Sequence, residues 1–300
     1  MNLSRNQHSI ASVCEVQGRG YWTAKEVCVV MRPAPADTGI LLVRSDLPDR
    51  PSCPAHVEHR SDATLRTNLS RGNAQFEMIE HLMAALYAME IDNCIVEING
   101  LEFPGLDGSS KPYIDALCGA GLVIQAAQRP RLVIEQLITL REGESWISAS
   151  PIQTGVSHFG YQLAFDHKGP IANQNYGFAC TPIRFSRDVA GARTFVTQSQ
   201  AQALHAKGVA KHVSYQDLLV FDDDGPIDNQ LRFNNECARH KTLDLVGDLA
   251  LAGVELVGKF VSYRGGHHLN GRMAKALHEL AVQTHAKQRF NLFESRPKAA

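Results

Sequence analysis

Arg239-His240-Lys241-Thr242-Leu243-Asp244-Leu245-Val246-Gly247-Asp248-Leu249-Ala250-Leu251-Ala252-Gly253 reads as one amphipathic helix. Leu243, Val246, Leu249 and Ala250 recur at three- and four-residue steps, and Leu245 widens the apolar face. Asn234 or Asn235 is placed to cap its start, and Gly253 to stop it. Along one side stand His240, Asp244 and Asp248, each four residues from the next, so an imidazole and two carboxylates share a stripe. That stripe has two readings. It is a solvated face with a His–Asp pair, or His240 and Asp244 are two metal ligands and Asp248 orients something nearby. Imidazole plus carboxylate suits zinc, and a catalytic zinc takes a third protein ligand and keeps one position open. The third ligand has to come from elsewhere in the chain.

The 300 residues, 44% of them hydrophobic, are enough for a substantial core divided between two domains. A net charge of −1 gives no electrostatic case for a nucleic-acid partner. The seven cysteines are scattered without a CxxC pair, which points to reduced thiols and a cytoplasmic protein. Residues 1–8 lack an apolar run, so no signal peptide is expected. Asp248, Glu255 and Lys259 interrupt the longest apolar stretches too soon for a membrane span, so the expectation is a soluble chain.

Residues 8–48 read as β-structure, with Val27–Met31 and Ile40–Val43 as strands around the turn Asp37-Thr38-Gly39. Residues 49–60, with Pro51 and Pro54, read as an exposed loop. Cys53, His56 and His59 within it lack the intervals of a structural zinc site. A helix is expected from about Glu77, with Ile79, Leu82, Met83, Leu86 and Met89 as its core stripe. Glu80 and His81 fall off that stripe. The helix dipole accounts for Glu80 at a first turn, whereas an adjacent acid and imidazole also suit a general base beside a ligand. Ile95–Ile98 reads as a strand, Asp107-Gly108 as a turn, and Ser110 as the cap of a helix to about Cys118. Residues 125–130 look like a linker, which divides the chain at 1–127 and 128–300.

Beyond that point the element order repeats, without a residue-level repeat: strands at 131–140, 145–149 and 161–166, a polar segment, then helices. Gly191-Ala192-Arg193-Thr194-Phe195 is a loop with a buried Phe, or a hydroxyl for an oxyanion beside an aromatic for a sugar ring. Asp222-Asp223-Asp224-Gly225-Pro226 is an acidic turn between strands, without the spacing of a calcium loop. Val257–Tyr263 reads as a strand running into Arg264-Gly265-Gly266-His267-His268-Leu269-Asn270. Those glycines make a plain turn or hold an acid/base histidine at a strand end. A last helix is expected over 272–285, with a loose tail from about Ser295.

Taken together, these pieces resemble one family, the zinc-dependent UDP-3-O-acyl-N-acetylglucosamine deacetylases of lipid A biosynthesis. The resemblance rests on Arg32–Gly39, Glu80-His81-Leu82-Met83-Ala84-Ala85-Leu86, Ile91-Asp92-Asn93 and Leu106-Asp107-Gly108-Ser109. Ala192–Phe195, Arg239-His240-Lys241 with Asp244, Gly247 and Asp248, and Gly266-His267 with Leu269-Asn270 follow in the family's order. It implies an α+β fold of two domains, each a small β-sheet packed on two helices, in a layered β-α-α-β sandwich. It also implies a Zn2+ held by His81, His240 and Asp244. Glu80 matches the general base, Thr194 the oxyanion-stabilising hydroxyl and His267 the general acid. Asp248 would fix and charge-stabilise His267, Lys241 would raise the local positive potential, and Phe195 would pack on the hexosamine.

The implied partner is a UDP-linked acylated amino sugar. No stable membrane insertion is expected, and the oligomeric state is open. The ligand set does not separate zinc from iron in the cell. Departures from the family pattern stand at Gly20–Ala24, Met78-Ile79, Val196-Thr197, His212-Val213-Ser214 and His268. They leave two alternatives beside the leading reading: a related deacetylase with a remodelled pocket for another N-acetylated sugar, or a non-catalytic binding homologue.

Overall fold

The computed structural model describes residues 4–164 and 169–294. Residues 165–166 of the strand expected at 161–166, the N-terminal Met1–Leu3 and the tail from Ser295 lie outside that range. In the first half the strands are β1 (Asn6–Ile10), β2 (Cys14–Arg19), β3 (Glu26–Pro33), β4 (Ile40–Arg44) and β5 (Ser52–Pro54). After a 3-10 turn at Val57–His59 come β6 (Arg60–Ser61), β7 (Asn68–Arg71) and β8 (Ala74–Phe76). Helix α1 (Glu80–Ala88), β9 (Cys94–Ile98), α2 (Lys111–Ala120) and β10 (Leu122–Gln128) complete it.

The second half opens with β11 (Arg131–Val133), β12 (Ile138–Glu142), β13 (Ser145–Ser150), β14 (His158–Leu163) and β15 (Gln174–Ala179). Then follow α3 (Pro182–Asp188), β16 (Phe195–Thr197), α4 (Gln198–Ala206) and β17 (Leu219–Phe221). Helix α5 (Glu236–Ala250), β18 (Glu255–Val257), β19 (Lys259–Tyr263) and α6 (His267–Glu294) end the described chain.

Each half builds a five-stranded sheet. The orders are β2-β3-β9-β4-β5 and β12-β13-β19-β14-β15. In both, the pairings run antiparallel, antiparallel, parallel, antiparallel. The one parallel pair in each sheet is bridged by a crossover that contains a helix, α1 in the first half and α5 in the second. Parallel neighbours require such a connection. Alternation in β3 turns Val27, Val29 and Met31 inward, and β9 does the same with Cys94, Val96 and Ile98. Helices α1 and α5 pack on each other, and α5 also packs on β14, β15 and α6. The α+β layering of sheet, helices and sheet follows from that contact. No helix among the described residues is long and apolar enough to cross a membrane.

Several sequence expectations shift. Helix α5 is buried on every side except at Arg239 and Lys241, so the stripe of His240, Asp244 and Asp248 is not a solvated face. Helix α1 starts at Glu80 rather than Glu77, because Glu77 donates to the Leu101 carbonyl and Met78 has a φ of +62°. Residues 52–54 form a strand on β4, Cys53 is buried, and His56 meets His278 at 3.1 Å. Residues 125–128 belong to β10, which pairs with β1. Ser186-Arg187-Asp188 forms the end of α3, ahead of the loop that carries Ala192 and Thr194. The acidic stretch after β17 meets only an isolated bridge, Phe221 to Pro226. Val257–Tyr263 is split at Gly258, where a Cβ would lie 2.7 Å from Ile134. The last helix begins at His267, so this histidine stands on a helix's first turn and not at a strand end.

Candidate metal centre and cleft

Where α1 crosses α5, three donor atoms converge. His81 Nε2 lies 3.7 Å and His240 Nε2 3.5 Å from Asp244 Oδ1. Ligand atoms in a tetrahedral site with ~2.0–2.1 Å bonds stand ~3.3 Å apart, close to these separations. His81, His240 and Asp244 are all buried, and they are the only such three-ligand group among the described residues. Asp244 Oδ2 accepts from Lys241 Nζ at 2.6 Å, while its Oδ1 is buried without a hydrogen-bond partner. A bare carboxylate oxygen between two ring nitrogens is costly unless a cation completes it. The donor set therefore fits a divalent metal.

The surroundings prepare the ligands. His240 Nδ1–H donates to the Ala192 carbonyl at 3.2 Å, leaving Nε2 with a lone pair towards the cluster. Burial pulls the His240 pKa down to about 3, so the ring is neutral as a ligand must be. Burial alone would raise Asp244, but neighbouring positive charge, the Lys241 ammonium above all at neutral pH, holds it well below the usual carboxylate range. Behind His81, Ser110 does not cap α2 with its side chain. Its hydroxyl donates instead to the His81 carbonyl at 2.8 Å.

Around this cluster lies a cavity of about 690 Å³. Glu80, His81, Thr194, Phe195, His240, Lys241, Asp244 and His267 line it. Asp248 does not; it sits behind His267, accepting Nδ1–H on Oδ2 at 2.9 Å. Burial would lower the His267 pKa, yet the Asp248 charge and hydrogen bond, with help from Asp244 and Glu80, raise it to about 9. Glu80 is fully buried and its pKa is raised, chiefly by desolvation. Thr194 Oγ1 stands 3.2 Å from His240 Nε2 and from the Gly108 carbonyl. Phe195 faces the His240 ring edge-on at 6.3 Å between centroids.

The departures cluster here too. Tyr21, Trp22, Met78, Val196, Val213 and His268 line the cavity. His212 instead donates to the Gly20 carbonyl at 2.8 Å, so two departing segments hold each other, and the Tyr21 hydroxyl donates to the Asp217 carbonyl just beyond them.

Sequence reading missed two sets of residues. The buried pair Arg193–Glu236 makes a 2.8 Å bond and anchors the segment that carries Ala192 and Thr194. Thr67 touches Glu80, Asp248 and His267. No local pattern marks either, because the partners are distant in sequence.

A layered α+β chain with a buried His-His-Asp cluster beside a carboxylate and a His–Asp pair has the plan of a metal-dependent hydrolase. Comparison with known proteins names the kind: a model of LpxC, UDP-3-O-acyl N-acetylglycosamine deacetylase, matches residues 7–279. UDP-3-O-acyl-N-acetylglucosamine deacetylases of Brucella ovis and Brucella melitensis biotype 2 are each 39% identical over 278 residues. Those alignments cover 92% of this chain and 96% of each relative. The chain belongs to this deacetylase family, whose members are metalloenzymes.

Proposed function

We propose that the chain hydrolyses the N-acetyl group of a UDP-3-O-acyl-N-acetylglucosamine, releasing acetate, as a step of lipid A biosynthesis. The observation that carries this reading is the unpartnered Asp244 Oδ1 between two histidine nitrogens, in a chain 39% identical to enzymes of that name. Zinc is the metal we assign to His81, His240 and Asp244; when bound it would polarise the acetyl carbonyl and acidify a water. Two units, dividing near 127/128, each give one side of the site. Seven unpaired cysteines suit a cytoplasmic setting.

Amide hydrolysis needs a nucleophile, a home for the oxyanion and a proton for the departing amine. Glu80 takes the proton of the attacking water, its basicity raised by burial. The water oxygen bonds to the acetyl carbon, and the Thr194 hydroxyl donates to the carbonyl oxygen as charge develops there. His267, protonated at neutral pH and fixed through Nδ1 by Asp248, gives its Nε2 proton to the amine as the C–N bond breaks. Lys241 steadies Asp244 and adds positive potential, and Phe195 packs against the hexosamine. The presence of both the base and the acid pair favours an enzyme over a binding homologue.

The test is acetate release from the acylated UDP-sugar: abolished by chelation and restored by zinc. Glu80→Gln and His267→Ala should each lower kcat by ~10²–10⁴-fold while metal stays bound. Near-full turnover in either would remove that role.

A further inference from the structure

We infer that Thr67 is a positioning residue that holds the base Glu80 and the acid pair His267–Asp248 in one arrangement; this rests on the roles proposed above. Thr67 precedes β7 and is fully buried. Each of its polar groups is engaged. Its N–H donates to Glu80 Oε2 at 3.0 Å, and its carbonyl accepts from Ile79 N–H at 3.2 Å. Its hydroxyl donates to Asp248 Oδ1 at 2.6 Å.

The donor and acceptor assignments follow from chemistry. Asp248 Oδ2 accepts His267 Nδ1–H at 2.9 Å and Asn270 Nδ2–H at 2.9 Å. The threonine proton goes to the remaining oxygen, Oδ1, and the Thr67 oxygen meets His267 Nδ1 at 3.3 Å. With both oxygens held, the carboxylate cannot rotate about its Cβ–Cγ bond, and the imidazole keeps Nε2 towards the cleft. The same residue, through its backbone N–H, holds one oxygen of Glu80 and leaves the other for the water's proton. One short piece of backbone thus sets the distance between proton acceptor and proton donor. Packing alone would be served by an apolar side chain, because a buried hydroxyl is costly unless bonded.

Thr67→Val removes the hydroxyl and keeps the backbone bonds; Thr67→Ser keeps both. In the acetate-release assay Thr67→Val should lower kcat about 10–100-fold, the loss of one hydrogen bond to a charged group. Metal content should be unchanged, and KM should stay within about 3-fold, since no contact is lost that binds substrate and transition state equally. Thr67→Ser should restore kcat to within about 3-fold. In an Asp248→Asn background, Thr67→Val should add less than about 2-fold, because Thr67 acts through Asp248. The low-field Nδ1–H resonance of His267, read in metal-free protein, should move in Thr67→Val and not in Thr67→Ser.

Unchanged kcat in Thr67→Val, an unmoved resonance, or losses that multiply in the double variant would each overturn the assignment. Should Thr67→Val fail to fold, Thr67→Ala carries the same comparisons. Glu80→Gln and His267→Ala run alongside: full turnover in both overturns the reading of the site itself, and the Thr67 role with it. Loss in both with full turnover in Thr67→Val overturns only the Thr67 role.

Discussion

Asp248 shows how a single carboxylate sets the chemistry of its neighbour. Burial alone would push His267 below its ordinary value of 6.5; Asp248 foremost, with Asp244 and Glu80, raises the ring to about 9. A raised value means that the proton is held tightly below 6.5 and lost as pH rises through about 9. The stabilisation that this pair gives the fold follows the same course, present at low pH and fading across that window. With His267 as the proposed general acid, the expected pH profile of kcat has an alkaline limb set by this ring. In Asp248→Asn that limb should move down towards 6.5, since the charge is gone while the amide oxygen can still accept from Nδ1. A profile whose alkaline limb stays put would show that another group sets it. The order matters because a general acid that is deprotonated at working pH has nothing to give the amine.

Among the elements, the crossing of α1 and α5 controls the site, and Gly247 controls the crossing. A Cβ at Gly247 would lie 2.1 Å from the Glu80 carbonyl oxygen and 3.2 Å from Ala84 N, both backbone atoms of α1. Nothing flexible can yield there. Gly247→Ala should cost about 1–3 kcal/mol or more by overpacking and lower Tm by several degrees. It should also weaken metal binding, because the turn pushed away carries Glu80 and His81. Thermal melts and a metal titration of the same variant check both effects. Intact metal affinity beside a lowered Tm would show that the ligands tolerate the shift.

The four-residue steps of His240, Asp244 and Asp248 were legible in the chain, since helical spacing reports which side chains align, and so was the Glu80-His81 dipeptide; Gly247 stood there only as part of the family motif, its approach to α1 unread. What was hidden is tertiary. The exposure of the α5 stripe could not be read, because its partner α1 lies more than 150 positions earlier. Strand β5 is three residues long with a proline, and the Gln-Ala-Ala-Gln end of β10 reads as a linker that hides the strand begun by Leu122-Val123-Ile124. Helix α6 hid its start behind two glycines, and Thr67 meets partners 13, 181 and 200 positions away.

At the scale of the molecule, the two halves share strand order and sense without a shared residue pattern, and the site is built where their equivalent helices meet. The first half supplies His81 and Glu80; the second supplies His240, Asp244, Lys241 and the His267–Asp248 pair. A metal bound by ligands from both halves prefers the folded chain, so it raises stability by mass action. A free metal concentration of 100 times Kd gives at most ~2.7 kcal/mol, because an unfolded chain also binds metal. Here 13 histidines and seven cysteines supply such competing ligands, so the measured gain should fall below that limit. Calorimetry on chelator-treated protein should show Tm rising on addition of zinc. His81→Ala should lose most of the rise, since the pair left on α5 no longer joins the halves. Glu80→Gln should keep it, because that carboxylate is not among the three donors. A Tm indifferent to zinc in the parent protein, or an undiminished rise in His81→Ala, would mean that the halves are held by packing alone and that the metal has no shared site between them.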